Sequence, residues 1–342
     1  MKIHSRIRRS VIAGALALAL TPFAQSAWAA DPIVIKFSHV VADDTPKGKG
    51  ANKFKELAEQ YTNGAVKVEV YANSTLYKDK EELEALQLGA VQMLAPSLSK
   101  FGPLGLREFE LFDLPYIFES KEALRKVTEG PLGAELLAGL EPKGIKGLAY
   151  WDSGFKVLSA NKPIHMPTDL RGTKMRIQSS KVLEEQFRVV RALPQVMAFA
   201  EVYQALQTGV VDGTENTLSN NYTQKVHEVQ KHMTLSDHGY IGYALIVNKK
   251  FWDGLPADVR GQLDKAVADA TAYANQIAQE ENDASLAAIR ASGRTQVHEQ
   301  TPEERAAFIK AMLPTHKKME SRVGADLIRQ VYEATGFDPA KY

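Results

Sequence analysis

The chain has 342 residues, no cysteine, and 42 basic against 41 acidic residues, giving a formal net charge of +1 with neutral histidine. A balanced charge offers no footprint for nucleic acid, and without thiols neither a disulfide nor a cysteine-linked lipid can hold the fold. Such a chain must be stable through its core alone, and its length suits two lobes better than one small core.

Lys2, Arg6, Arg8 and Arg9 make a basic start, Val11 to Leu20 is a short apolar run, and Ala27-Trp28-Ala29 is a small-x-small cleavage signal. This order predicts a secretory segment, residues 1–29, cut near Ala29. The apolar run is well short of the roughly 20 residues a membrane-spanning helix needs. Arg8-Arg9 is a poor twin-arginine signal because Ser10 follows it, so general secretion is expected. Removing the four basic residues leaves 38 basic and 41 acidic, a net charge of −3. The predicted location is the periplasm.

Ile33, Ile35 and Phe37 alternate with polar neighbours as a strand, and Thr45-Pro46 opens a helix carrying Phe54, Leu57, Ala58 and Tyr61 on one face until Gly64. Val66, Val68 and Val70 read as a second strand, 79–88 as a helix ended by Gly89, and 91–95 as a buried strand. This β-α-β-α-β unit builds a mostly parallel sheet with helices on both faces. A-L-Q-L-G-A-V at 85–91 recurs as A-L-Q-T-G-V-V at 205–211, a helix end feeding a strand in each copy, which supports two lobes of common design. The chain is expected to cross between lobes near Trp151 to Gly154 and to return near Tyr240 to Val247. After Pro256, Val259, Leu263, Val267, Ala270 and Ala274 mark one long alanine-rich helix running to about Ala291.

Enzymatic patterns fail on spacing. His227-Glu228 is followed by His232, one residue too late for H-E-x-x-H. No G-x-S-x-G, phosphate loop or third glycine of a dinucleotide fingerprint occurs. No catalytic residue, metal or cofactor is therefore expected.

D-L-R-G-T-K-M-R-I-Q-S-S at 169–180, followed by M-A-F-A-E-V-Y-Q-A-L-Q-T-G-V-V-D-G-T-E-N at 197–216, resembles the signature of the DctP-type periplasmic solute-binding proteins of TRAP transporters. Similar order and spacing extend from about Ile33 to about Pro256. The resemblance implies an α/β, two-lobed periplasmic binding protein fold with a hinge and a long helix spanning both lobes. On that reading the first lobe is 31–152 plus 242–282 and the second 153–241 plus 283–335. It implies a monomer that delivers a small organic acid to TRAP membrane permease subunits.

Site roles come from the same resemblance. Arg176 matches the family's carboxylate-gripping arginine, a task suited to a planar fork; unaided, an arginine there is more often a solvated or salt-bridged edge residue. Asn216 matches the second carboxylate contact, otherwise an ordinary loop or cap asparagine. Phe199 matches a ligand-packing aromatic, otherwise core. Lys156 stands where several relatives place a second arginine; G-F-K preceded by Y-W-D resembles the C4-dicarboxylate branch and argues against a sugar acid. Ser179 lies in the Q-S-S end of the 169–180 motif and Trp151 in Y-W-D at the expected crossing between lobes. From the first lobe, His39 ends the opening strand, Ser97 follows the 91–95 strand, and Lys47 lies at a helix start that favours anions, the alternative being a solvated lysine beside an N-cap. Tyr240 is a candidate wall or a hinge-packing tyrosine. F-S-H-V-V-A-D-D-T-P-K-G, Y-A-N-S-T-L-Y and F-G-P-L-G-L-R-E-F-E-L-F-D-L-P-Y-I-F also look like the branch binding malate, succinate and fumarate. Another organic acid, a secreted enzyme using His39 with Asp43 or Asp44, and a receptor-linked sensor remain as alternatives.

Overall fold

The opening strand and helix follow from local chemistry. β1 (Ile33–Ser38) buries Ile35 and Phe37 completely. Helix Pro46–Tyr61 starts where Thr45 accepts from the Gly48 amide at 3.1 Å, with Pro46 pre-set for the first turn. It stops at Asn63 and Gly64, whose positive φ angles of 48° and 80° end the ladder. β2 (Val66–Tyr71) runs parallel to β1, and helix Glu82–Gln87 leads into the short β3 (Met93–Leu94), also parallel to β1. The computed structural model describes residues 31–342; the expected secretory segment and its cleavage point lie outside the described residues. Among the described residues no helix is long and apolar enough to cross a membrane.

These three strands form two sheets together with β4 (Ile145–Phe155), β5 (Val157–Ala160), β6 (Lys174–Ile177), β7 (Leu193–Val196), β8 (Gly213–Asn216), β9 (His232–Leu235), β10 (Tyr240–Asn248) and β11 (Gln296–Glu299). The first has the order β2-β1-β3-β10-β4, the second β11-β9-β5-β8-β6-β7. The parallel pairing expected of the opening unit is present, but β10 runs antiparallel to both β3 and β4, so the first sheet is mixed. The second is mixed as well, since β5 is antiparallel to β8 and β9. The internal echo holds in structure: Gly89 and Gly209 end equivalent helices with φ of 78° and 72°, ahead of β3 and β8.

The crossings lie at the end of the β4–β10 ladder. β4 stays paired with β10 through Phe155 opposite Tyr240, so the chain leaves the first sheet at Lys156 and returns over 236–239, a few residues from the expected Trp151–Gly154 and Tyr240–Val247. The Lys156 amide donates to Gly239 O at 2.8 Å and fastens the two crossings together. Gly154 takes a φ of 131° beside them, where a Cβ would sit 2.7 Å from the Asn282 amide.

Helix Ala257–Ser292, 36 residues long, spans both lobes. Val259, Leu263, Ala270 and Ala274 enter the first lobe's core, and Ile289 packs with Val157 and Met233 of the second. Its alanines permit close approach: a Cβ on Gly50 of the facing helix would lie 2.9 Å from the Ala274 Cβ. Asn282 donates to Ser153 O at 2.6 Å and accepts from the Ser219 amide at 2.9 Å, joining strand β4 to the second lobe. Helix Pro302–Met312 puts Phe308, Ile309 and Met312 into the second lobe's core. Helices Pro314–Val323 and Ala325–Thr335 instead put Met319, Val323, Ile328 and Val331 among the first lobe's apolar residues. The segment 314–335 also reaches the second lobe, where Lys318 pairs with Glu185 at 2.6 Å.

Candidate functional site

Strand ends from both sheets converge on one cleft, the usual place for a ligand in open α/β sheets. From the first lobe come Val40, Val41, Lys47 and Ser97; from the second come Gln178, Phe199, Asn216 and Asn220, with Tyr243 contributed by β10. These residues, with Asp79 and Lys100, enclose about 10 Å³ of free space. A larger hollow of about 540 Å³ adjoins it, sharing Asp79, Lys100 and Gln178 and lined further by Arg176, Ser179 and Met197.

The cleft's charge is strongly organised. Lys47 is buried, donates to Ala95 O at 3.0 Å, and lies 3.9 Å over the Tyr243 ring. Burial, and then the nearby Lys100 charge, push its pKa well down, so an anion placed here would be welcomed. Lys100 is buried between Asp79 and Glu82, 2.6 Å from the Glu82 carboxylate. Burial alone would raise Asp79, but the Lys100 charge and hydrogen bond hold it at about 2. Arg176 is 2% exposed, and its Nε and Nη2 donate to Met197 O at 3.1 and 2.8 Å. Its guanidinium carbon is 5.8 Å from the Phe199 ring centre. Asn216 accepts through Oδ1 from the Thr217 amide and from Asn220, both at 2.9 Å. That leaves its own NH₂ group with no acceptor among the described residues.

The lobes touch across this cleft. Gln178 donates to Ser97 and accepts from Ser99, both at 3.0 Å. Asp79 accepts from the Phe199 amide, and Val40 and Val41 pack with Phe199 and Val202.

Of the ten residues singled out in the sequence, Lys47, Ser97, Phe199 and Asn216 line the inner hollow, and Arg176 and Ser179 the larger one. The other four lie elsewhere. Lys156 is buried at the crossing, 2.8 Å from Glu215, whose other oxygen is 2.8 Å from His238. Against its burial, Lys156 and His238 hold Glu215 at about 2. Trp151 donates to Thr271 at 2.8 Å within the first lobe's core, and the Tyr240 hydroxyl donates to Asp152 at 2.5 Å among Phe118 and Phe155. His39 is fully buried, edge-on to Phe37, with neither ring nitrogen partnered among the described residues. The structure adds Asp79, Lys100, Gln178, Asn220 and Tyr243 to the lining of the cleft. Period-two spacing from Arg176 points to Gln178, and helical spacing from Asn216 points to Asn220.

Burial, then the Lys47 charge, lower His39 to about 3. An unfolded histidine takes its proton near 6.5, so between those values the unfolded chain binds more protons and stability falls as pH falls. His39→Leu should remove this loss: between pH 7 and pH 4.5 the parent should lose about 2–3 kcal/mol more than the variant. Urea melts at the two pH values check this, and equal losses would refute it.

Two mixed α/β lobes, joined by strands and a shared helix and meeting over buried cations and amides, define a hinged binding protein for a small anionic ligand. The profile described as bacterial extracellular solute-binding protein, family 7 (DctP), matches residues 37–322. The chain belongs to that family. It is 68% identical over 306 residues to the C4-dicarboxylate-binding periplasmic protein DctP of Rhodobacter capsulatus, covering 90% of this chain and 92% of that one. A TRAP periplasmic solute-binding protein from Shewanella oneidensis with bound succinate superposes with a TM-score of 0.87 at 42% identity, covering 89% of this chain and 99% of the other. One from Pseudomonas aeruginosa with bound L-malate gives 0.82 at 45% identity, covering 84% and 100%.

Proposed function

We propose that this protein captures a C4-dicarboxylate such as succinate, malate or fumarate between its lobes and presents it to a TRAP membrane permease from the periplasm. The observation that carries the reading is the pairing of donors from opposite lobes, Lys47 on one side and Arg176 with Asn216 on the other, around a space suited to a small diacid. Arg176 would grip one carboxylate, shared with the free amide of Asn216, while Lys47 meets the second and Phe199 walls the carbon chain. The role named for the Rhodobacter relative and the succinate and malate held by the solved relatives support the same ligand class. The periplasmic naming of that relative agrees with the secretory segment. Asp79 and Glu82 both pair with the single ammonium of Lys100, an arrangement suited to holding charge in place and not to acid–base turnover.

Calorimetry on the mature protein with succinate, malate, fumarate, glutarate, butyrate and galactonate tests this. A charge-assisted contact contributes about 1.5–3 kcal/mol, so butyrate, lacking the second carboxylate, should bind about 10- to 150-fold more weakly than succinate. Equal affinities would mean the second carboxylate is unread, and tighter galactonate binding would replace the diacid with a sugar acid.

A further inference from the structure

We propose that His165, His298 and Glu304, with His232 beside them, form a surface site for a borderline divalent transition-metal ion of the zinc type on the second lobe, separate from the ligand cleft. Three separate segments bring the donors together: His165 lies in the loop after β5, His298 in β11, and Glu304 in the first turn of helix Pro302–Met312. Their ligating atoms all fall within 4.8 Å of one another.

The finer geometry fits a metal polyhedron. His298 Nε2 is 2.7 Å from Glu304 Oε2, and His165 Nδ1 is 3.7 Å from Glu304 Oε1. In a tetrahedral site with bonds of about 2.0–2.1 Å, donor atoms stand roughly 3.4 Å apart. The His165–Oε1 contact is close to that separation, and the shorter His298–Oε2 contact is a hydrogen bond that an incoming ion would replace. The imidazoles stack with centres 4.0 Å apart and planes 2° apart, so the two nitrogens approach the same carboxylate side by side. A modest turn of either ring aims both lone pairs at a shared point. His165 has the freedom to make it, its side chain being 49% exposed.

Glu304 divides its work between two oxygens. Oε2 accepts from the Thr301 amide at 2.8 Å, which caps the helix, as well as facing His298. Oε1 accepts no hydrogen bond among the described residues and is available to a cation. An accessible hollow of about 290 Å³ lies over the group, lined by His165, His232 and His298. In the parallel β9–β11 register, His232 faces Gln296 and Thr234 faces His298, which places His232 and His298 on one face of the sheet as diagonal neighbours. Imidazole donors with one carboxylate suit zinc, nickel or copper, whereas magnesium and calcium require six or more oxygens. Two histidines and a glutamate leave a coordination position open for water or for His232. A bound ion would staple the loop after β5 to β11 and to the helix that follows it.

Zinc chloride titrated by calorimetry into tag-free mature protein, previously stripped with chelator, tests the proposal. One ion per chain should bind with a raised melting temperature, and magnesium chloride should do neither. His165→Ala and His298→Ala should each weaken zinc at least about tenfold, while succinate binding by His165→Ala stays that of the parent. The proposal is overturned if the parent takes up no zinc, or if both variants bind it as the parent does. His165 is half in solvent, so its replacement leaves the fold intact and either result is interpretable.

Discussion

Arg176→Ala is expected to weaken succinate binding by about 30- to 5,000-fold, because removing one partner of a desolvated charge pair costs about 2–5 kcal/mol. The side chain is 2% exposed and anchored by two hydrogen bonds to Met197 O, so its guanidinium is already oriented before a carboxylate arrives. Arg176→Lys keeps the charge and loses the planar fork along with the doubled contact to Met197, and should fall between parent and alanine. Calorimetry at constant salt reads the series, with a thermal melt of each variant to confirm folding. Parent-like affinity in Arg176→Lys would show that the carboxylate is held elsewhere, by Lys47 or Asn216.

The second large effect is on stability. Lys156→Met leaves Glu215 buried with only His238 opposite, and breaking a buried pair in this way costs about 3–5 kcal/mol. Glu215 is held near 2 against an ordinary value of 4.5, so its pairing stabilises the fold above pH 4.5 and is lost as pH falls through about 2. The cost should therefore be fully visible at neutral pH. Denaturant melts measure it, and Lys156→Met combined with Glu215→Leu should recover much of the loss. Succinate affinity should change little, since Lys156 lines neither hollow. Lost affinity with undiminished stability would return Lys156 to the ligand.

Lys156 also shows where sequence reasoning reaches its limit. Its motif resembles a ligand position, yet its partner lies 59 residues away on β8, opposite β5 in an antiparallel register that no local pattern encodes. Tyr240 and Tyr243 teach the same lesson. β10 is buried on both faces, so no alternation of polar and apolar residues marks the side that meets the cleft. The opening strands, the capped helix after Thr45 and the long helix after Pro256 were legible because each has a start signal, a stop signal and one apolar face. The strand expected over 91–95 shrinks to Met93–Leu94, with Pro96, which has no amide proton to donate, following shortly before the cleft-lining Ser97. On the sequence Lys47 suits a solvated and an anion-binding role equally. Its burial under Tyr243 depends on β10, which arrives almost two hundred residues later in the chain.

The contacts from Gln178 to Ser97 and Ser99, and from Asp79 to the Phe199 amide, run from protein to protein and require no ligand. They set how often the free chain visits its shut arrangement, and the apparent dissociation constant is the intrinsic one divided by that shut fraction. Each added lobe-to-lobe bond would therefore improve capture at low solute concentration and hinder release by the same factor. Whatever receives the cargo must repay that difference by preferring the open arrangement, since only differential affinity can shift such an equilibrium. Two serines and one glutamine at the wall of the cleft therefore act as a tuning point between scavenging and throughput.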